Sequence, residues 1–125
     1  MSFTSGLEHD DWSGWVTSDI IKTYLSNKFV EVPGTKFNYD TPASQVLSAI
    51  VNKTTGKSAF QFASENLFNK LGITNVSWPS DGQGYSYGGF NLYLRPADML
   101  KIGYLYLNKG NRPTNHPARS FLLRH

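Results

Sequence analysis

The chain predicts a mainly α-helical fold with at most one short strand, and three observations carry that reading. Apolar residues recur at helical spacing in four stretches, each opened by a capping residue or proline, and the last three closed at or near a glycine. Residues 73–95, between the third and fourth stretch, are rich in Gly, Ser and aromatics and show no long alternation of apolar and polar residues. A length of 125 residues, with 39% hydrophobic and 14% aromatic content, suits one globular domain with a modest core.

In chain order, residues 1–15 read as a polar and aromatic loop. A first helix is expected near 18–28, capped by Thr17 or Ser18, with Ile20, Ile21, Tyr24 and Leu25 at helical spacing. Pro33-Gly34 then turns the chain. A second helix over 42–55 starts at Pro42, whose fixed φ and missing N–H suit a first turn, with Thr41 as N-cap. Its expected apolar face is Ala43, Val46, Leu47, Ile50 and Val51, and Gly56 ends it. Ser58 caps a third helix over 59–71 and Gln61 completes a capping box. Its face is Phe60, Ala63, Leu67, Phe68 and Leu71, and Gly72 stops it. The short link predicts an angular helical pair sharing one core. Residues 73–95 read as a long ordered loop with a short strand at 90–94. Pro96 opens a fourth helix to 108, with Asp98 complementing the macrodipole. The run from Met99 to Leu107 is apolar on most sides and predicts a central, buried helix. Residues 1–110 are thus expected as a single helical domain and 111–125 as a poorly ordered tail.

Charge and composition narrow the function. The formal charge of +3 suggests a nucleic-acid ligand, but residues 1–110 hold nine Lys and Arg against nine Asp and Glu. The excess is Arg112, Arg119 and Arg124 in the tail, so the body offers no clustered cationic face, and no nucleic-acid partner is expected. Without cysteine there is no disulfide, thiolate metal site or cysteine nucleophile. No apolar run reaches membrane-spanning length, no charged apolar leader opens the chain, and no membrane partner is expected; the compartment stays undetermined.

Other constellations have plain alternatives. Glu8-His9-Asp10-Asp11 could ligate a hard cation, but consecutive loop residues rarely converge on one ion, and a solvated acidic loop is the better reading. Trp12, Trp15, Trp78, Tyr85, Tyr87, Phe90 and Tyr93 could line a groove, though loop aromatics more often plug the loop onto the body. Gly82, Gly84, Gly88 and Gly89 match no phosphate or dinucleotide fingerprint, and no cofactor or metal is expected.

Six short segments in fixed order carry a family resemblance over about residues 3–110: Thr4-Ser5-Gly6-Leu7, Tyr39-Asp40-Thr41, Gly56-Lys57-Ser58, Leu71-Gly72-Ile73, Gly88-Gly89 and Arg95-Pro96-Ala97-Asp98. Each is weak alone; their order and spacing together resemble the serine β-lactamase-like hydrolases, closest to the class C, penicillin-binding-protein and esterase branch. The resemblance implies the helical subdomain of the β-lactamase/transpeptidase-like fold. It also implies that Tyr39 holds the tyrosine of the family's Tyr-x-Asn motif, with Thr41 in place of the Asn. In that family a serine attacks a carbonyl to give an acyl-enzyme, and the lysine of Ser-x-x-Lys helps remove its proton. The tyrosine works in the same network as base and acid, which needs nearby ammonium groups because a free phenol, with a pKa near ~10, is a poor base.

The sequence departs from this pattern where it matters most. No serine has a lysine three residues on; Ser18 and Lys22 are four apart, an ordinary helical pair. The closing Lys-Thr-Gly or His-x-Gly strand is missing too, since Lys53-Thr54-Thr55-Gly56 ends a helix. Tyr39 is therefore expected as a vestigial catalytic residue, the alternative being a packed aromatic whose hydroxyl is satisfied by backbone. Thr41 is a weaker site candidate, with a capping role as its alternative. The chain is expected to be part of a β-lactam, peptide, ester or amide hydrolase, cut from a longer gene or left by its decay, and inactive alone. A non-catalytic module using the aromatic loop is the second reading. An apolar face left uncovered by the missing sheet predicts self-association, most simply a two-fold homodimer.

Overall fold

In the computed structural model, which describes residues 3–9 and 19–111, the chain forms α1 (Ile20–Leu25), α2 (Thr41–Thr55), α3 (Ala59–Ala63) and α4 (Pro96–Leu107). A small antiparallel ladder joins β1 (Val76–Ser77) to β2 (Tyr93–Leu94), with Val76 opposite Leu94 and Ser77 opposite Tyr93. This is the mainly helical architecture that the periodicity predicts, with the expected strand shortened to two residues. The predicted caps Thr17 and Ser18 and the tail from 112 lie outside the described residues.

Helix α1 is shorter than its pattern. Asp19 caps it, accepting from the Lys22 amide at 2.9 Å, and Ile20 and Tyr24 face inward while Leu25 stays exposed. Helix α2 ends as expected on Gly56, at φ +70°, the left-handed conformation glycine adopts without penalty. The capping box of α3 is formed: Ser58 Oγ accepts from the Gln61 amide at 3.1 Å, and Gln61 Oε1 accepts from the Ser58 amide at 3.0 Å. The third helix does not stay α-helical. A π turn over Ser64–Phe68 and a 3₁₀ turn over Asn69–Leu71 carry it to Gly72, and Phe68 enters the core at 2% exposure beside the buried Ile73.

Two expectations about which helix faces are buried are overturned. The buried stripe of α2 is Pro42, Ala43, Gln45, Ser48 and Ala49, rotated from the predicted face, and Ile50 is exposed. The reason is the loop before β2, which brings polar backbone to that side. Gln45 accepts from the Gly88 amide at 2.7 Å and donates to Asp81 at 2.8 Å, while Ser48 donates to the Ser86 carbonyl at 2.6 Å. Buried backbone groups need partners, so polar side chains win these positions over Val and Leu. Helix α4 is not central: Met99, Leu100, Tyr106 and Leu107 are exposed and its one buried residue is Asp98.

Asp98 itself is more than a dipole complement. It accepts from Arg95 Nε at 2.9 Å and Lys101 Nζ at 2.7 Å. The hydrogen bond from the Lys101 ammonium, ahead of the opposing cost of burial and the help of Arg95, holds its carboxyl below the usual carboxylate range. Lys101 also donates to the Gly72 carbonyl at 3.1 Å, fastening α4 to the end of the third helix.

The 78–90 loop is ordered by its own bonds. Asp81 Oδ1 accepts from the amides of Gln83 and Tyr85, both at 2.9 Å, and Trp78 Nε1 donates to the Tyr87 carbonyl at 2.7 Å. Tyr87 stacks on Phe90 with centroids 4.9 Å apart. The loop comes so close to α2 that a Cβ on Gly88 would lie 2.0 Å from the Ser44 carbonyl oxygen. Replacing Gly88 with Ala should therefore destabilise the chain by roughly 2 kcal/mol or more in chemical denaturation. Gly82→Ala, where the added Cβ meets nothing within 4 Å, should stay within roughly 0.5 kcal/mol of wild type. Equal effects of the two would show that the close approach is not a constraint.

Candidate functional site

The Thr4-Ser5-Gly6-Leu7 segment runs alongside residues 28–38 through backbone hydrogen bonds. Glu8 N donates to Lys28 O at 2.8 Å, Val30 N to Gly6 O at 2.9 Å, Gly34 N to Thr4 O at 2.8 Å and Asn38 N to Phe3 O at 2.9 Å. Gly6 is required there: its φ is +74°, and a Cβ would lie 2.3 Å from the Glu31 carbonyl oxygen. This pairing delivers Ser5 and His9 to the start of α2.

At that junction Asp40, 1% exposed, is the N-cap of α2, accepting from the Ala43 amide at 2.9 Å. Thr41, expected as the cap, is instead the first helical residue, and Pro42 follows it inside the first turn. Asp caps at least as well as Thr, so the Asp40-Thr41-Pro42 sequence allowed either register. Thr41 takes a packing role, its Cγ2 occupying space 2.3 Å from where a Cβ on Gly89 would stand.

The Asp40 carboxylate gathers three further groups. Ser5 Oγ donates to Oδ2 at 2.8 Å, the Tyr24 hydroxyl donates at 2.5 Å, and His9 Nδ1 lies 3.8 Å away. Tyr24 and Ser5 oxygens are themselves 2.9 Å apart. Burial, then the hydrogen bond to Asp40 and its negative charge, push the Tyr24 phenol up to about 12, partly opposed by Ser5. Ser5 and Tyr24 did not figure as candidate site residues, and His9 figured only within the Glu8-His9-Asp10-Asp11 cation set, a different role from the one it has here. The family-like Thr4–Leu7 segment was the other hint that the N-terminal loop belongs here.

Tyr39 stands one residue before this cap. Its backbone carbonyl meets His9 Nε2 at 2.8 Å, while its ring is 59% exposed and touches Phe3, centroids 5.2 Å apart. Among the described residues the Tyr39 hydroxyl has no hydrogen-bond partner and no ammonium group beside it. The packed-aromatic alternative is thus not what the structure has. An open groove of about 420 Å³ between α1 and α2, floored by Ile21, Leu25, Val46 and Ile50, does not include Tyr39. Of Glu8-His9-Asp10-Asp11, the two aspartates lie outside the described residues, as do Trp12 and Trp15.

The Tyr24 shift gives a pH dependence. A phenol that ionises near ~10 when unfolded and at about 12 when folded stabilises the fold below the unfolded value. That contribution drains as pH rises from the first to the second. Denaturation midpoints of wild type and Tyr24→Phe should therefore converge over this alkaline interval, wild type being the more stable at neutral pH. A constant gap would show that Tyr24 does not donate to Asp40.

The chain matches the family model named Beta-lactamase over residues 1–117. A solved structure described as a 6-aminohexanoate-dimer hydrolase from Bacillus anthracis is similar at 24% identity with a TM-score of 0.70, the match covering 90% of this chain and 34% of that one. This chain thus spans about a third of that structure's length, and the likeness carries the fold alone. No curated protein matches in sequence. With the family model covering nearly all of the chain, the chain belongs to the beta-lactamase family.

Proposed function

We propose that this chain is the helical portion of a serine hydrolase of the class C, penicillin-binding-protein and esterase branch, and that it contributes Tyr39 to an acyl-transfer site while being inactive alone. The observation that carries this reading is the Tyr39 side chain, exposed and, among the described residues, unpartnered at its hydroxyl, on a backbone held by the Asp40 cap and by His9. A general base or acid must be fixed at its main chain yet free at its reacting atom. The nucleophilic serine, its lysine and the closing strand would come from outside this chain, because the sequence holds no Ser-x-x-Lys, Lys-Thr-Gly or His-x-Gly, and its Lys70-Leu71-Gly72 and Lys101-Ile102-Gly103 lie in helical segments, not on a strand. In the assembled site the serine hydroxyl would attack a carbonyl, its proton passing to the lysine and tyrosine pair, which then protonates the leaving group. β-Lactams, peptides, esters and amides all fit this chemistry. Thr41 would add at most a hydroxyl near substrate.

Purified chain should not turn over nitrocefin or p-nitrophenyl esters above buffer, nor be labelled by a fluorescent penicillin or a fluorophosphonate. Stoichiometric labelling of any serine would sink the claim of inactivity. Supplying a partner segment with Ser-x-x-Lys and the closing strand should restore turnover, and Tyr39→Phe should lower it by roughly 100- to 10,000-fold. Turnover indifferent to Tyr39→Phe would refute its role. The second reading, a non-catalytic interaction module, draws on the exposed Phe90, Leu92 and Tyr93; it gains if no partner segment restores activity.

For the chain alone we propose self-association through α4. Met99, Leu100, Tyr106 and Leu107 are exposed and lie at spacings that share one helical face, and a Cβ at Gly103 between them would meet nothing within 4 Å. A face of this kind suits a second copy in a two-fold dimer. Light scattering at high concentration should give a dimer mass, and Leu100→Glu should return the chain to monomer. A clean wild-type monomer that binds no hydrophobic dye would remove the proposal.

A further inference from the structure

His9 sits where a neutral imidazole fits poorly. Its Nε2 meets the Tyr39 carbonyl at 2.8 Å and its Nδ1 meets the Leu7 carbonyl at 3.3 Å. Carbonyl oxygens only accept, and a neutral ring carries one N–H, so in that form one nitrogen would point its lone pair at an oxygen. The imidazolium donates to both. The same ring lies 3.8 Å from Asp40 Oδ2, its side chain 6% exposed and the aspartate 1%. A carboxylate so deeply buried needs a counter-charge, and among the described residues no Lys or Arg pairs with it. The hydroxyls of Ser5 and Tyr24 give it hydrogen bonds but no positive charge.

We propose that His9 is a positioning residue for Tyr39: as an imidazolium it clips the Thr4–Leu7 segment to the Tyr39 carbonyl, and its deprotonation releases that clip and re-aims the phenol. The titratable groups that face it among the described residues are Asp40 from the start of α2, Tyr24 from α1, with ring centroids 6.5 Å apart, and Tyr39 itself; Glu8, next in its own segment, is exposed. An imidazole is the side chain whose charge can change near neutral pH, and the Tyr24 phenol beside it is pushed up to about 12. The consequence for catalysis rests on the reading of Tyr39 proposed above; the clip itself does not.

Nuclear magnetic resonance on the isotope-labelled full chain tests this. Both ring nitrogens of His9, assigned by comparison with His9→Gln, should show imidazolium shifts at neutral pH. As pH rises, the Tyr39 ring signals should move with the same midpoint as His9, while those of Phe68 and Ile73 stay fixed. In His9→Gln the Tyr39 signals should hold the wild-type high-pH positions and not titrate over that range, with the melting temperature lowered by only a few degrees. An unprotonated ring nitrogen at neutral pH, or Tyr39 signals unmoved through the His9 titration, would overturn the proposal. Should His9→Gln fail to fold, the wild-type titration decides by itself. Tyr39→Phe without effect in the reassembled enzyme would defeat the catalytic reading and leave the clip standing, so the two fail separately.

Discussion

A single carboxylate, that of Asp40, holds together the parts of this chain that are far apart in sequence. Ser5 reaches it from the N-terminal segment, Tyr24 from α1 and the Ala43 amide from α2. Each alone is a modest bond, worth about 1 kcal/mol net, or about 2 kcal/mol where the acceptor is charged. Their joint effect is larger in kind, because a buried charge with any partner removed is left partly unsatisfied. The site therefore tolerates one arrangement of three segments, and Tyr39, one residue upstream, inherits it.

The same logic runs through the rest of the core. The buried apolar set is small, Ile20, Tyr24, Ala43, Ala49, Phe68 and Ile73, whereas Asp40, Gln45, Ser48, Ser86 and Asp98 are all buried polar residues with partners. Many large apolar side chains remain outside, on α4 and along residues 29–37. Hydrophobic burial drives association of the segments, but the polar contacts decide which faces meet. The Gly88-Gly89 pair lets a loop backbone approach α2 closely enough for Gln45 to bond it, a contact that a side chain at Gly88 would prevent.

What was legible in the residues follows from how local each signal is. The Ser58 to Gln61 box and the glycine stop at Gly56 depend on four or five neighbouring residues, and both were readable and present. The inward face of α2 depends on which backbone lies against it, and that backbone is some forty residues away, as with Ser48 and Ser86. Periodicity alone put Ile50 inside and left Gln45 out, because apolarity was the only criterion it could apply. Helix α4 failed for a related reason: its composition predicts burial, but not by what. For the site, the order of short family-like segments singled out Tyr39 as a candidate, while the group of Ser5, His9, Tyr24 and Asp40 behind it needed three-dimensional contacts to be seen.

The division between what is rigid and what is open has a chemical sense. A tyrosine that exchanges protons with a serine and a lysine must arrive already aimed, since ordering it during the reaction would add to the barrier. In this chain the backbone at Tyr39 is held by the cap below it and by the imidazole against its carbonyl, which is the aiming the proposed role would need. The hydroxyl itself is left without a partner among the described residues. An isolated phenol is neither a good base nor a good acid at neutral pH, so preorganisation without the ammonium groups gives position but no reactivity. Under the proposed reading, the helical portion would hold the position of Tyr39, and its reactivity would depend on what is brought to the exposed side of that residue.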